Sequence, residues 1–292
     1  MIGTITGKTI VCGIIGDPIG HSLSPIMHNK SFKKLGLDYV YVPFRVRSGE
    51  LKKAVDGMRG LSIRGLNITI PHKVAVIQFL DRIDPLAEEI GAINTIINDG
   101  GILTGYNTDA SGFLKTLRDN GIQPAGKKVL LLGAGGAARA IGSVLAQEKA
   151  KLTIFNRLEG LPWAEDIAYR LAHLNGTAVK AVELNYENLK AAIADAEILV
   201  NATSVGMHPA DNQTPVSADL LHANLTVFDI VYNPLPTRLL KEAADAGAKT
   251  IGGVEMLVRQ GAISFEKWTG RSAPVDVMRE SVLSSLSQKN EK

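Results

Sequence analysis

Apolar residues fall into two rhythms along this chain, short strand-like runs and longer segments with helical spacing, and the two alternate. Residues 9–15 form a β-rich apolar run that ends in Gly16-Asp17-Pro18, and 25–35 has helical spacing up to Gly36. Residues 39–44 read as a strand, 49–58 as a helix, 63–70 as a strand and 73–80 as a further helix. Asp84-Pro85 opens a short helix through Ile90, with proline at the first helical position. Residues 93–97 and 102–106 flank Asn98-Asp99-Gly100-Gly101, a hairpin signal. Such alternation predicts an α/β fold with a mostly parallel sheet covered by helices.

A connecting helix over 110–120 and a linker at 121–128 lead into a second β/α series. Residues 129–132 are all apolar, as expected of a strand buried on both faces. Further strands are expected at 152–155, 198–201, 227–231 and 249–251, with helical patterns between them. Helices near 254–268 and 274–286 close the chain, and the polar tail 287–292 is expected to fray. A chain of 292 residues exceeds what one core usually holds, so two domains are expected.

Composition changes this picture little. With 45% hydrophobic and 21% charged residues the chain reads as a soluble globular protein. The net charge of +3 comes from scattered Lys and Arg, which gives no support to nucleic-acid binding. Cys12 stands alone among Ile10, Val11, Ile14 and Ile15, a place for a small buried hydrophobe. A single cysteine forms no internal disulfide and fits a reducing compartment. No signal-peptide pattern or bilayer-length apolar run is present, so a cytoplasmic protein with no membrane partner is expected. The six histidines lack zinc-ligand spacing, and no metal is expected. His21 and His28 read as structural, and Trp163 and Trp268 as packing residues. There is no Gly-x-Ser-x-Gly elbow to support hydrolase chemistry.

Candidate chemistry concentrates in a few segments. In Asn67-Ile-Thr-Ile-Pro-His-Lys73, strand alternation puts Ile68 and Ile70 on one face and Asn67 and Thr69 on the other. Pro71 stops the strand, and Lys73 follows on the polar side. Gly133-Ala134-Gly135-Gly136-Ala137-Ala138 lies between a buried strand and a helix. There the first glycine allows a tight turn, the second lets the backbone approach a pyrophosphate, and the helix N-terminus faces phosphate. Asn156-Arg157 ends the next strand, where NAD enzymes usually carry an acid. A neutral Asn followed by Arg suits the 2′-phosphate of NADP. In Asn201-Ala-Thr-Ser-Val-Gly-Met207, Thr203 and Ser204 are either cofactor ligands or turn formers. Ser22-Leu-Ser24-Pro25 reads as a helix start with Ser24 as N-cap, which also suits a carboxylate. Asn94 and Asp109 sit at strand ends, and Asp109 alone would be the N-cap of the helix after it. Tyr232-Asn-Pro234 is a turn or a phenol aimed at a site, and Gln260 lies on a late helix.

Taken in order, these segments, with Asp229-Ile-Val-Tyr-Asn-Pro234 and Met256-Leu-Val-Arg-Gln260, resemble the shikimate dehydrogenase family across nearly the whole chain. The resemblance implies two α/β domains. Residues 1–110 plus 255–292 would bind substrate, 111–254 would be an NADP-binding Rossmann domain, and the active site would lie in a cleft that closes on a hinge. It implies reversible reduction of 3-dehydroshikimate to shikimate by NADPH, a step towards chorismate and the aromatic amino acids. Lys73 and Asp109 would be the catalytic pair. Ser22 and Ser24, with Tyr232 nearby, would bind the carboxylate. Thr69, Asn94 and Gln260 would hold the carboxylate or ring hydroxyls, and Asn67 would line the same site. Gly133, Ala134, Gly135, Gly136, Ala137, Asn156, Arg157, Thr203, Ser204, Met207 and Gly253 would contact NADP.

Two departures from the family pattern stand out. Gly252-Gly253-Val-Glu255 replaces an Asp-Gly-x-Gly pattern and brings a charge towards the nicotinamide. Leu158 follows Asn156-Arg157 where a hydroxyl residue is common, with Glu159 next, which leaves NAD use open. A quinate or dual-specificity dehydrogenase is the nearest alternative, and a non-catalytic NADP-binding sensor a second. The small-molecule substrate is the expected partner, and a monomer and a homodimer are both compatible with the sequence.

Overall fold

A computed structural model describes residues 5–176 and 178–290. The chain forms two compact units, Met1–Gly112 with Leu257–Lys292, and Phe113–Met256.

The first unit opens with β1 (Ile10–Gly16), α1 (Ser24–Lys34), β2 (Tyr39–Arg45), α2 (Leu51–Gly60) and β3 (Gly65–Ile68). It continues with β4 (Arg82–Ile83), α3 (Pro85–Ile90), β5 (Thr95–Asp99), β6 (Ile102–Tyr106) and the start of α4 (Asp109–Asp119). The sheet order is β2-β1-β3-β5-β6-β4. The β1–β2, β1–β3 and β4–β6 pairs are parallel, and β3–β5 and β5–β6 are antiparallel. The β5–β6 pair is the expected hairpin, where Gly100 and Gly101 take φ of 62° and 94° and the Asn98 side chain accepts the Gly101 N–H at 2.8 Å.

One face of this sheet is aliphatic. Leu51, Val55 and Met58 recur at helical spacing along α2 and pack with Ile15, Leu66, Ile68, Ile96 and Leu103. Elsewhere the unit buries Phe32, Tyr41, Phe265 and Trp268 around His28, whose ring stacks 4.5 Å from Tyr41. The Trp268 indole donates to the Ile96 carbonyl at 3.1 Å, and a Cβ on Gly65 would collide with that indole.

The second unit takes up β7 (Lys128–Leu132), α5 (Gly136–Gln147), β8 (Lys151–Asn156), α6 (Leu161–Asn175) and β9 (Lys180–Glu183). It continues with α7 (Tyr186–Ile193), β10 (Ile198–Asn201), β11 (Thr226–Asp229), α8 (Arg238–Asp245) and β12 (Lys249–Gly252). Its order is β12-β11-β10-β7-β8-β9, parallel at every neighbouring pair. Helices α9 (Val254–Thr269) and α10 (Val275–Asn290) end the chain, and α10 packs on α1. Among the described residues no helix is long and apolar enough to cross a membrane.

Several expectations need correction. The strand expected over 63–70 is only Gly65–Ile68, and Ile70 is 59% exposed. The chain turns early because the His72 N–H donates to the Thr69 carbonyl. Residues 73–80 yield a 3₁₀ turn at Ala75–Phe79 in place of a helix. The closing helix runs on to Asn290, so the expected fraying of 287–290 is not seen; 291–292 lie outside the described residues. Strands β4 and β9 went unforeseen: the first has two residues, and the second is an edge strand without a buried run. Trp163 is 64% exposed and is not a packing residue, unlike Trp268.

Candidate active site

Lys73 sits just past the turn that ends β3, its carbonyl accepting the Ile93 N–H at 2.7 Å. Its Nζ donates to Asp109 Oδ2 at 2.6 Å, with the side chains 15% and 8% exposed. This buried ammonium–carboxylate contact therefore keeps an opening to solvent on the lysine side. Asp109 opens α4 but does not cap it. The Asn107 side chain accepts the N–H groups of Asp109 and Ala110, at 3.0 and 3.3 Å. The N-cap role expected of Asp109 thus falls to Asn107, and the Asp109 carboxylate is left for Lys73.

Asn94 lies behind the pair. Its Nδ2 donates to Asp109 Oδ1 at 2.8 Å and to Thr108 Oγ1 at 2.9 Å, with Gln260 Oε1 at 3.5 Å. Gln260, on α9, also donates to the Leu257 carbonyl at 2.7 Å. Asn67 is buried with its amide fully engaged by protein groups, so it braces its neighbours and does not face the opening. Thr69 is half-buried at the turn.

The serine pair also differs from expectation. Ser24 is the first residue of α1 and is buried, Leu23 holds the N-cap position, and Ser22 Oγ accepts the Ser24 N–H at 3.3 Å. Ser24 is therefore not the N-cap; Ser22 does part of that work from two residues earlier. The first unit thus gathers Lys73, Asn94, Asp109 and Gln260 by direct contacts, and Ser22, Ser24 and Thr69 belong to the same unit.

In the second unit, Gly133 has φ of +103°, and a Cβ there would press on Thr203 Cγ2 at 3.0 Å and the Ala202 carbonyl at 3.1 Å. Only glycine fits this turn. Gly135 caps α5 with no side-chain acceptor, so the first N–H groups of Gly136, Ala137 and their neighbours form a bare helix N-terminus. Ala134 is buried beneath it. Asn156 donates to the Gly160 carbonyl at 2.7 Å and closes a local turn. Arg157 is exposed and its guanidinium has no hydrogen-bond or ion-pair partner among the described residues, whereas Arg139 is paired with Asp166 at 2.8 Å. A glycine turn, an open helix N-terminus and a free guanidinium are what a dinucleotide phosphate requires.

The Thr203 hydroxyl donates to Asn201 Oδ1 at 2.7 Å and accepts the Val205 N–H at 3.1 Å, so it builds the turn. Ser204 is exposed and Met207 half-buried. Asp229, fully buried, ties this loop to the next. It accepts from Asn201 Nδ2 at 2.9 Å, the Val231 N–H at 3.0 Å and Thr237 Oγ1 at 2.7 Å. Burial raises its carboxyl to about 6, against the three donors that lower it. Tyr232 is half-buried in the loop after β11, and Gly253 is buried against the Ile230 carbonyl. Sequence reasoning missed Asn107 and the buried Thr95, Thr108 and Ser264. The only signal for Asn107 was an Asn two residues before a helix start. Among the described residues no cluster of three or more His, Cys, Asp or Glu could hold a metal.

Comparison with known proteins gives matches along most of the chain. Residues 14–96 match the shikimate dehydrogenase substrate binding domain and 117–232 match shikimate / quinate 5-dehydrogenase. Residues 253–283 match the shikimate 5′-dehydrogenase C-terminal domain. The chain is 49% identical over 286 residues to shikimate dehydrogenase (NADP(+)) of Methanopyrus kandleri, covering 97% of this chain and 98% of that protein. A crystal structure of a shikimate dehydrogenase in complex with NADP+ superposes with a TM-score of 0.91 at 41% identity, covering 97% and 98% of the two chains. The Listeria monocytogenes shikimate 5-dehydrogenase, in complex with shikimate and NAD, gives 0.86 at 43% identity, covering 94% and 97%.

Proposed function

The chain belongs to the shikimate dehydrogenase family, and on that footing we propose that Lys73 and Asp109 are the proton-handling pair of its reaction. The reaction is the reversible, NADPH-dependent reduction of 3-dehydroshikimate to shikimate, on the way to chorismate. NADPH, when bound, supplies the hydride. The protein must then manage the negative charge that grows on the ketone oxygen. Lys73 is a donor for that oxygen, able both to hold it and to hand it a proton. Asp109 accepts from Lys73 on one oxygen and from Asn94 on the other, so the ammonium is aimed by a carboxylate that cannot rotate.

Ser22 and Ser24 supply hydroxyls for the substrate carboxylate, with Tyr232 as a further phenol. Thr69, Asn94 and Gln260 are polar groups for the ring hydroxyls. Gly133 to Ala137 would hold the pyrophosphate, Arg157 the 2′-phosphate, with Asn156, Thr203, Ser204, Met207 and Gly253 lining the remainder. Cytoplasmic residence belongs to the same reading and is supported by the lone, buried Cys12.

The observation that carries the assignment is the 2.6 Å Lys73–Asp109 contact with the lysine partly open. Lys73→Ala is expected to lower kcat by ~10²–10⁴-fold, with a smaller change in KM. Purified, folded variant turning over within about tenfold of wild type would sink the assignment. Quinate is the second substrate to test, since the match over 117–232 names both polyols. Pairing shikimate and quinate with each cofactor, followed at the nicotinamide absorbance, separates the two.

A further inference from the structure

Behind the Lys73–Asp109 pair lies a buried polar cluster of which Tyr41, Thr95 and Ser264 have no role in the reading above. Tyr41 is 2% exposed, Thr95 and Ser264 are 0%, and Asn67 is 5%. Apolar side chains of the same shape would serve stability as well, because a buried polar group gains little beyond its own desolvation cost. Groups placed here must do something that Val, Ala and Phe could not.

Their hydrogen bonds have a direction, and backbone groups set it for the two amides. The Asn94 carbonyl can only accept, and it takes a bond from Asn67 Nδ2 at 3.1 Å. Asn67 Oδ1 therefore faces the Tyr41 phenol, which must donate to it at 2.6 Å. Asn67 Nδ2 also reaches Thr95 Oγ1 and Ser264 Oγ, both at 3.1 Å. Asn94 Oδ1 can only accept, so in its 3.0 Å contact with Thr95 Oγ1 the hydroxyl is the donor. At the far end the Thr108 N–H can only donate, and it too meets Asn94 Oδ1, at 2.8 Å. Asn94 Nδ2 is thereby turned to Asp109 Oδ1. Thr108 holds Oδ1 through its N–H and, at 3.2 Å, its hydroxyl, and Thr95 adds a donor from a second direction, the start of β5. Ser264 Oγ, on α9, lies 2.7 Å from Thr95 Oγ1 and 3.1 Å from the Gln260 carbonyl, and with the single Thr95 proton spent on Asn94 it gives its own proton to one of these two.

We propose that Tyr41, Asn67, Thr95 and Ser264 form a positioning relay that fixes the Asn94 amide and, through it, the Asp109 carboxylate that aims Lys73. The relay rests on the dehydrogenase reading for its catalytic consequence, and Thr95 is the link that can be cut cleanly. Thr95→Val keeps the shape and removes the hydroxyl, whereas Thr95→Ser keeps the hydroxyl.

The test measures kcat and KM for shikimate oxidation by NADP in both variants, alone and with Asp109→Asn. Thr95→Val should lower kcat/KM for shikimate by ~10–100-fold, the span seen when a group that orients a reactive side chain is lost. KM for NADP should stay within about twofold, and Thr95→Ser within about threefold of wild type on every parameter. In the Asp109→Asn background Thr95→Val should add less than about threefold, because the relay acts through that carboxylate. Equal losses in Val and Ser variants, or full additivity with Asp109→Asn, would overturn the relay. A second measurement needs no turnover: hydrogen exchange of the Asn94 side-chain amide, by NMR, should quicken in Thr95→Val and not in Thr95→Ser. If wild type fails to oxidise shikimate, the functional reading falls while this exchange still decides the relay, and unchanged exchange refutes it.

Discussion

His28 offers a pH experiment whose size follows from the structure. Its ring is 0% exposed, packed among Tyr41, Phe32, Phe265 and Trp268, and neither nitrogen has a hydrogen-bond partner among the described residues. Burial alone lowers it from 6.5 to about 3. The folded protein thus holds a neutral imidazole down to about pH 3, whereas the unfolded chain binds a proton below 6.5. Stability is lost as pH falls, because the unfolded state then carries more protons. At 1.36 kcal/mol per unit, going from pH 8 to pH 5 should remove about 2 kcal/mol through this residue. The adjacent Cys12 and Tyr41 do not titrate in that window, since burial pushes the thiol up to about 12 and the phenol well above its ordinary value.

His28→Phe keeps an aromatic ring in the stack and removes the proton site. The variant will carry a packing offset of its own, but the offset is the same at both pH values and cancels in the comparison. Urea unfolding at pH 8 and pH 5, in a Trp163→Phe background, lets buried Trp268, 5.3 Å from His28, report this unit. The wild-type loss between the two pH values should exceed the variant's by about 2 kcal/mol. Equal losses would mean that His28 is not held neutral, and the argument from burial would fail.

Gly65→Ala would drive a methyl into the Trp268 indole, and overpacking of this kind costs about 1–3 kcal/mol, read in the same urea experiment; wild-type stability would show that the indole can move aside. Asp229→Ala would leave the Val231 N–H and Thr237 Oγ1 without their acceptor and Asn201 Nδ2 with only the Val205 carbonyl at 3.3 Å. A loss of at least ~2 kcal/mol and weaker NADP binding by titration are expected, and an unchanged melt would contradict the account. Arg157→Ala should cut the NADP-over-NAD ratio of kcat/KM by about tenfold, as expected on losing a guanidinium–phosphate contact. Wild type already favouring NAD would instead assign the decision to Leu158 and Glu159.

Local patterns carried much of the fold. The apolar run that became β7, the glycine loop after it and the Asn-Asp-Gly-Gly turn are each written in adjacent residues, because strand burial, φ > 0 and turn closure are local demands. Where two local solutions competed, the sequence was less decisive. Ser22 or Ser24, and Asn107 or Asp109, are equally good capping side chains, and only the backbone path chose between them.

The chemistry-bearing residue types and the order of the segments lay in the sequence, since they are matters of covalent chain and short-range preference. The meeting of Lys73 with Asp109, separated by 36 residues, was implied by resemblance and not by any spacing. Thr95 and Ser264, 169 residues apart, carry no local signature at all, and their contact exists because α9 packs back against β5 in the first unit. A hydrogen-bond relay depends on donors and acceptors meeting in space with the right polarity. One-dimensional order holds no trace of that condition until the sheet and the last helices have closed around it.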